Sequence, residues 1–500
     1  MFYRLRYFIV FVLGALWFSL FQKWGAFPDP DAFYHAKMAS LLMEQGPLHA
    51  FPWLDLTVLH PGFHNQHLLF HYFLVPFVWL FGMLVGAQIA AVVAGALFSV
   101  IAYVVLEKFA IRHAWFWACI FLTLPPVTAR LSLAKASPFA IGLFLLGILC
   151  WKQASRFWLF LVTVIYALSH GGWIILPGAL VVLSAGDWIY QRFVLDKRSR
   201  LDLVSPLISF GGGMFGTGFH PNFPEALHYL WVQIFQIGVV TPVGRVLMGT
   251  EWYPYPPLEI VSQAAMLFIL FLYIILGCFF ALRTTLDESH ASRSIGLGFL
   301  LAIFFALTLK SARFVEYFAP VAVLWLASLA QQIDERRLFQ FLRNQFRFLP
   351  HVLVVMGLIV IGRSAIKARQ QLFVSAKPFT RFEKAMQVVS AQLKPGERLF
   401  HSDWAQFPLL WSKNDHVRYV AGLDPVFLLQ ASSTLSDAYT DLTLGNTTSG
   451  AYEIISERFA SRIVFVERKP SQKLDAILRA DDRFSLLYED DEAILFSLKK

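Results

Sequence analysis

Apolar stretches of roughly 15–25 residues dominate the chain, and a helix of that length crosses a hydrocarbon layer of about 30 Å. They lie at about 7–24, 86–106, 114–129, 136–151, 157–170, 172–188, 203–219, 258–282, 294–309, 314–332 and 350–364. Lipid satisfies no backbone hydrogen bonds, so such stretches fold as helices rather than as open strands. Composition agrees. Of 500 residues 57% are hydrophobic and 15% charged, whereas a soluble chain carries about a quarter charged. The sequence predicts a polytopic α-helical membrane protein with about 11 spans, in a bacterial inner (cell) membrane.

The formal charge of +9 does not point to a nucleic acid. Its basic residues fall in short clusters between the stretches: Arg4/Arg6, Lys108/Arg112, Lys152/Arg156, Arg192 to Arg200, Arg283/Arg293 and Arg336 to Arg347. The positive-inside rule accounts for them. The segment 68–84 (LLFHYFLVPFVWLFGML) decides the parity. Read as an aromatic-rich interfacial or re-entrant helix, it keeps every cluster cytoplasmic. The amino terminus is then inside and the carboxyl terminus outside. The first run reads as a retained span, because no small-residue cleavage site follows it. Cys119, Cys150 and Cys278 sit in or at the ends of apolar runs and read as small buried hydrophobes.

Charge rises after about residue 375, and period-2 apolar runs (RIVFV, AILFSL) alternate with helix-like stretches. The expected organisation is a membrane domain at 1–374 and an external soluble α/β domain at 375–500. The membrane domain has a first external loop at 25–85 and a second at 218–257.

Chemistry concentrates at the outer face. FPDPDAFYHAKMAS opens the first loop with Asp29, Asp31, Tyr34, His35 and Lys37. A carboxylate there can hold a divalent cation, which holds a phosphate, or act as a general base. Lys310, Arg313 and Glu316 lie in TLKSARFVEYF, Arg130 and Lys135 in TARLSLAKAS, and Arg245 and Glu251 in the second loop. Basic residues outside run against the positive-inside bias, although snorkelling anchors account for many such residues. Glu251 stands beside Trp252 and Tyr253, as a catalytic acid or an interfacial anchor. His64, His67 and His71 share a face if their segment is helical; Pro61 and Gly62 detach His60. That face suits a transition ion or a lipid phosphate. His170 reads as a hydrogen-bonded histidine, Asp403 and Asp424 as turn and capping residues, and the glycines at 211–213 as helix packing. No P-loop or G-x-S-x-G motif is present, and the one string that fits G-x-G-x-x-G by letter, GGGMFG at 211–216, lies inside an apolar run rather than after a strand.

One span followed by Asp31-Ala32-Phe33-Tyr34-His35-Ala36-Lys37 resembles the GT-C superfamily of membrane glycosyltransferases, and within it the oligosaccharyltransferase catalytic subunit. The resemblance implies a GT-C-like bundle with an external carboxy-terminal domain and a polyprenyl-linked sugar donor. It implies that Asp31 binds a divalent cation (Mn or Mg) and helps activate the acceptor. It also implies an external-loop arginine on the carrier phosphate, for which Arg313 is first choice, then Arg130, Lys135 and Arg245. Asp29, His35 and Glu251 are the candidates for a second metal ligand. The chain departs from that family in two places. TARLSLAKAS carries no acid where a second acidic motif is expected, and HSDWAQFP is not the acceptor-reading W-W-D motif. A different acceptor is expected, which the sequence does not name. Two further readings stay open: a transporter or flippase of a lipid-linked or anionic substrate, and a non-catalytic envelope-assembly protein.

Overall fold

The computed structural model describes residues 2–240, 244–281, 288–345, 348–447 and 449–499. Arg283 and Arg347, two of the basic residues used for orientation, lie outside the described residues. The chain divides into two compact units.

The first unit comprises Met1–Lys23, Gln88–Thr217 and Tyr253–Ser375 and is helical. Each apolar stretch becomes helix, but not always one long helix. Among the described residues four helices are long and apolar enough to cross a membrane: Leu68–Lys108, Gly171–Val194, His290–Lys310 and Ala312–Ala330. The pair Ala114–Thr123 and Pro125–Leu131 makes a fifth if counted as one span. Leu5–Ser19, Ser137–Lys152, Arg156–Ser169 and Ala265–Phe280 are apolar but shorter.

Two expected continuous spans are corrected. The 114–129 stretch bends by 75°, because Leu124 is extended (φ −71°, ψ 121°) ahead of Pro125. The residue before a proline is pushed out of the helical region. The 258–282 stretch breaks at Ala264 into Pro257–Gln263 and Ala265–Ala281. Of the 211–213 glycines, Gly212 and Gly213 pack as expected, since a Cβ on Gly212 would stand 2.6 Å from the Phe160 carbonyl oxygen, whereas Gly211 faces open space.

The second unit gathers Trp24–Ala87, Gly218–Trp252 and Ala376–Lys500. Most of both long loops thus clusters with the carboxy-terminal segment. Helix Leu68–Lys108 is interrupted at Gly82 (φ 74°, ψ 169°), a backbone region open to glycine, so the 68–84 segment has its own direction. Strand β1 (Ala26–Phe27) pairs antiparallel with β2 (Lys377–Pro378). A five-stranded sheet holds β3 (Arg398–His401), β4 (Arg418–Tyr419), β5 (Ser461–Glu467), β6 (Phe484–Glu489) and β7 (Ala493–Leu498). Its order is β4-β3-β5-β7-β6. The β3 strand runs parallel to β4 and β5, and the β7 hairpin partner closes the sheet antiparallel. Alternate residues Phe400, Val464, Val466, Ile494 and Phe496 face one core with Leu428, Leu442, Ile455 and Leu474.

Candidate functional site

The candidate residues fall into two groups, one in each unit. In the second unit Asp31 opens helix Asp31–Gln45, and its N–H donates to Asp29 Oδ1 at 2.8 Å. Carboxylates in a first turn are favoured by the helix dipole. Both aspartates are half-buried and so reachable from solvent.

The residues after Asp31 turn inward. Tyr34 is buried among Phe51, His71 and Trp411. Burial, then the charge of Asp31, pushes its phenol well above the ordinary range. His35 Nδ1 faces His71 Nε2 at 2.7 Å, with the His67 ring 5.1 Å from that of His35. Lys37 Nζ pairs with Asp415 at 2.7 Å, and the Trp53 indole donates to the Asp415 carbonyl at 2.6 Å. Tyr34, His35 and Lys37 therefore fasten the helix that presents Asp31.

The single histidine face is corrected. The helix begins only at Leu68, so His60, His64 and His67 lie before it, outside any helix. His64 meets His220 edge to face, with ring centroids 4.1 Å apart. His220 Nδ1 accepts the Asn222 N–H, so its Nε2 carries the proton and donates to the Asn65 carbonyl at 3.0 Å. Burial pulls the His220 pKa down to about 4 and holds His64 well below the usual imidazole value. Among the described residues no three His, Cys, Asp or Glu side chains gather as a metal set. Asp31 and His35 do not, with these residues, make a complete donor set for a divalent cation.

Glu251 sits in the short turn Thr250–Trp252, and a Cβ on the neighbouring Gly249 would stand 3.9 Å from both Glu251 and Trp404. The Trp404 indole donates to the Leu247 carbonyl at 2.7 Å. Arg245 is exposed and grips Asp437 through Nε and Nη2. Asp403 and Asp424 cap helix starts by accepting the Ala405 and Val426 N–H groups, as expected.

In the first unit, Arg130 ends helix Pro125–Leu131, and Glu316 stands in the first turn of Val315–Ala330. Arg130 Nη1 lies 3.6 Å from Glu316 Oε1, both side chains largely buried. Arg313, in the turn Ala312–Phe314, and Glu316 both act electrostatically on the Tyr317 hydroxyl. That hydroxyl bonds to the Tyr166 hydroxyl at 2.8 Å. Tyr255 is pushed up to about 12 by burial and Glu259, with Arg130 opposing. His170 is hydrogen-bonded, as expected: its Nδ1 accepts the Gly172 N–H at 2.9 Å. Lys310 closes helix Glu288–Lys310, and Lys135 lies half-buried in the turn after Leu131. A small apolar cavity of about 10 Å³, room for about one water, lies between Leu124, Pro126, Tyr255, Ile260, Val315 and Phe318.

The first unit thus brings Arg130, Arg313 and Glu316 to one neighbourhood of buried hydroxyls. Tyr166, Tyr317 and Tyr255 were not singled out in the sequence. Glu316-Tyr317, three residues after Arg313 at the opening of an apolar run, is a signal that points to Tyr317.

No protein-family model matches the chain, and no curated protein matches it in sequence. Solved structures do. ArnT from Cupriavidus metallidurans bound to undecaprenyl phosphate aligns over 98% of this chain and 97% of its own. The TM-score is 0.54 and the identity 12%. Its apo form aligns at TM-score 0.54 and 14% identity over 99% of this chain and 98% of its own. Arabinofuranosyltransferase AftD from Mycobacteria aligns at TM-score 0.56 and 11% identity, over 99% of this chain and 40% of its own. At such identities the likeness is one of fold. None of these structures is an oligosaccharyltransferase subunit, and what this chain shares with them is the fold, mostly helical with a carboxy-terminal sheet.

Proposed function

We propose that this chain is an integral membrane glycosyltransferase that moves a sugar from a polyprenyl-(di)phosphate-linked donor to an acceptor at the outer face of a bacterial inner membrane. The observation that carries the reading is a GT-C fold over nearly the whole chain, shared with a protein solved with undecaprenyl phosphate. The polar groups fit the two needs of such a reaction. Asp31 is a half-buried carboxylate at a helix start, held by an interior-anchored helix. Arg313 and Arg130 are cations at the boundary of apolar helices, where guanidinium groups suit a phosphate.

In the proposed step an acceptor hydroxyl attacks the anomeric carbon while Asp31 takes its proton. The anomeric carbon–oxygen bond to phosphate breaks, and its electron pair leaves on the carrier phosphate. Arg313, supported by Arg130, Lys135 and Lys310, offsets that charge. Glu251 is proposed as a second acid. A divalent cation, Mn or Mg, on Asp31 would supply Lewis-acid stabilisation. The described residues do not gather a donor set for it, so no step is assigned to it. The carboxy-terminal sheet is proposed to face outside the cytoplasm.

The test is mass spectrometry of envelope glycans, glycolipids and glycoproteins from wild type, a deletion strain and Asp31→Asn at matched protein level. Loss of one sugar unit in both mutants is expected, and the missing mass names the sugar. A deletion that loses it beside an unaffected Asp31→Asn overturns the mechanism and favours transport or assembly.

A further inference from the structure

The helix Glu335–Gln345 (ERRLFQFLRNQ) is short and strongly two-faced, and the proposed reaction makes no use of it. Leu338 and Leu342 are buried, and Phe341 stacks on Phe280 with centroids 4.4 Å apart. This face docks the helix on its own unit. The opposite side exposes Arg336, Arg337, Gln340 and Arg343, with Phe339 exposed among them.

The acids at the start of the helix are already engaged. Glu335 is taken by His113 at 3.1 Å and Arg112 at 3.8 Å. Asp334 accepts the Arg336 and Arg337 N–H groups at 3.1 Å each. Among the described residues no carboxylate pairs with the guanidinium of Arg336, Arg337 or Arg343. Three cations therefore share a face with one aromatic ring and no counter-charge. The flanking chain tells what lies beside them. Ala312–Ala330 precedes the helix as an apolar span, and Leu349–Ser375 follows it with Val354 and Leu358 exposed. Surface aliphatics on a helix of this kind meet lipid tails, which puts the arginines near headgroup depth.

We propose that the outer face of Glu335–Gln345 is a binding surface for anionic phospholipid headgroups. Arg336, Arg337 and Arg343 hold the phosphodiesters and Phe339 enters the acyl boundary. A guanidinium offers two parallel donors to a phosphate, and cations beside an anionic bilayer attract it within a Debye length. The surface is independent of the proposed transfer reaction and stands or falls without it.

The test is native mass spectrometry of the full chain, titrated with equal amounts of phosphatidylglycerol and phosphatidylcholine. The expected preference for phosphatidylglycerol falls at least tenfold in the Arg336→Gln/Arg337→Gln/Arg343→Gln variant, from about fivefold per arginine. Arg198→Gln/Arg200→Gln, in another exposed basic stretch, keeps it. An unchanged ratio in the triple variant overturns the proposal, as does an equal loss in the control pair. Displacement of phosphatidylglycerol by inorganic phosphate also overturns it, by marking a soluble-anion site. Should the triple variant fail to purify, the three single variants give the same reading, each with a partial loss.

Discussion

Asp55 is a single carboxylate holding two arginines. Its Oδ1 accepts Arg398 Nε at 3.2 Å, and its Oδ2 accepts Arg398 Nη2 at 2.7 Å and Arg418 Nη1 at 2.9 Å. Arg398 begins β3 and Arg418 begins β4, so the pair fastens the first loop to the sheet edge. The Asp55 and Arg398 side chains are 10% and 14% exposed, and Arg418 is 44% exposed. Asp55→Ala would leave two neighbouring cations without their counter-charge. Removing one member of a buried pair costs about 3–5 kcal/mol. Solvent reaches Arg418 and screens part of that, so a loss of about 3 kcal/mol is expected. In a unit of about 220 residues each kcal/mol moves the melting temperature by roughly 2–4 °C, so the drop should be about 6–12 °C. The assay is thermal unfolding of the detergent-purified chain followed by tryptophan fluorescence at one fixed scan rate. Arg398→Met and the double variant complete the cycle. Asp55→Ala within about 2 °C of wild type, or strictly additive single changes, would refute the reasoning.

Acid should loosen the second unit. Burial pulls His220 and His401 down to about 4, while the unfolded chain protonates near 6.5. The native state then binds fewer protons, so stability is full above about pH 6.5 and falls as pH drops toward 4. Each histidine accounts for about 3 kcal/mol at the bottom of that window. A melting temperature flat from pH 7 to 4 would contradict this. Lys37→Met should lower the melting temperature by about 2–4 °C through loss of the Asp415 pair, with the donor KM unchanged; a raised KM would return Lys37 to substrate binding. Gly212→Val should abolish stable expression, because its Cβ meets the Phe160 carbonyl, whereas Gly211→Ala, with open space around it, should be silent. Equal yields of the two variants would reject that packing.

Much of the architecture was legible because the 3.6-residue and 2-residue periods are set by local sequence. Every apolar stretch read from the chain is helical in the structure, and RIVFV and AILFSL became β5 and β7. Breaks were harder. Leu124 bends the chain because two prolines follow it, a local cause that hydropathy averaging hides. Partners were harder still. His64 meets His220, and Lys37 meets Asp415, across 156 and 378 residues; nothing in either neighbourhood names the other. The internal contacts of Tyr34, His35 and Lys37 beside Asp31 were for the same reason not legible.

The β1–β2 pairing joins Ala26 to Pro378. A ribosome that has delivered the first strand must still make more than 300 residues before its partner exists. The two strands close a loop with a large entropic cost, and only after most of the bundle has been inserted. Until then the first loop waits with Phe27, Phe33 and Trp53 exposed, all of which end buried. The unit's assembly is thus tied to the end of synthesis, and a chain cut before β2 leaves an aromatic, aggregation-prone loop rather than a smaller working protein.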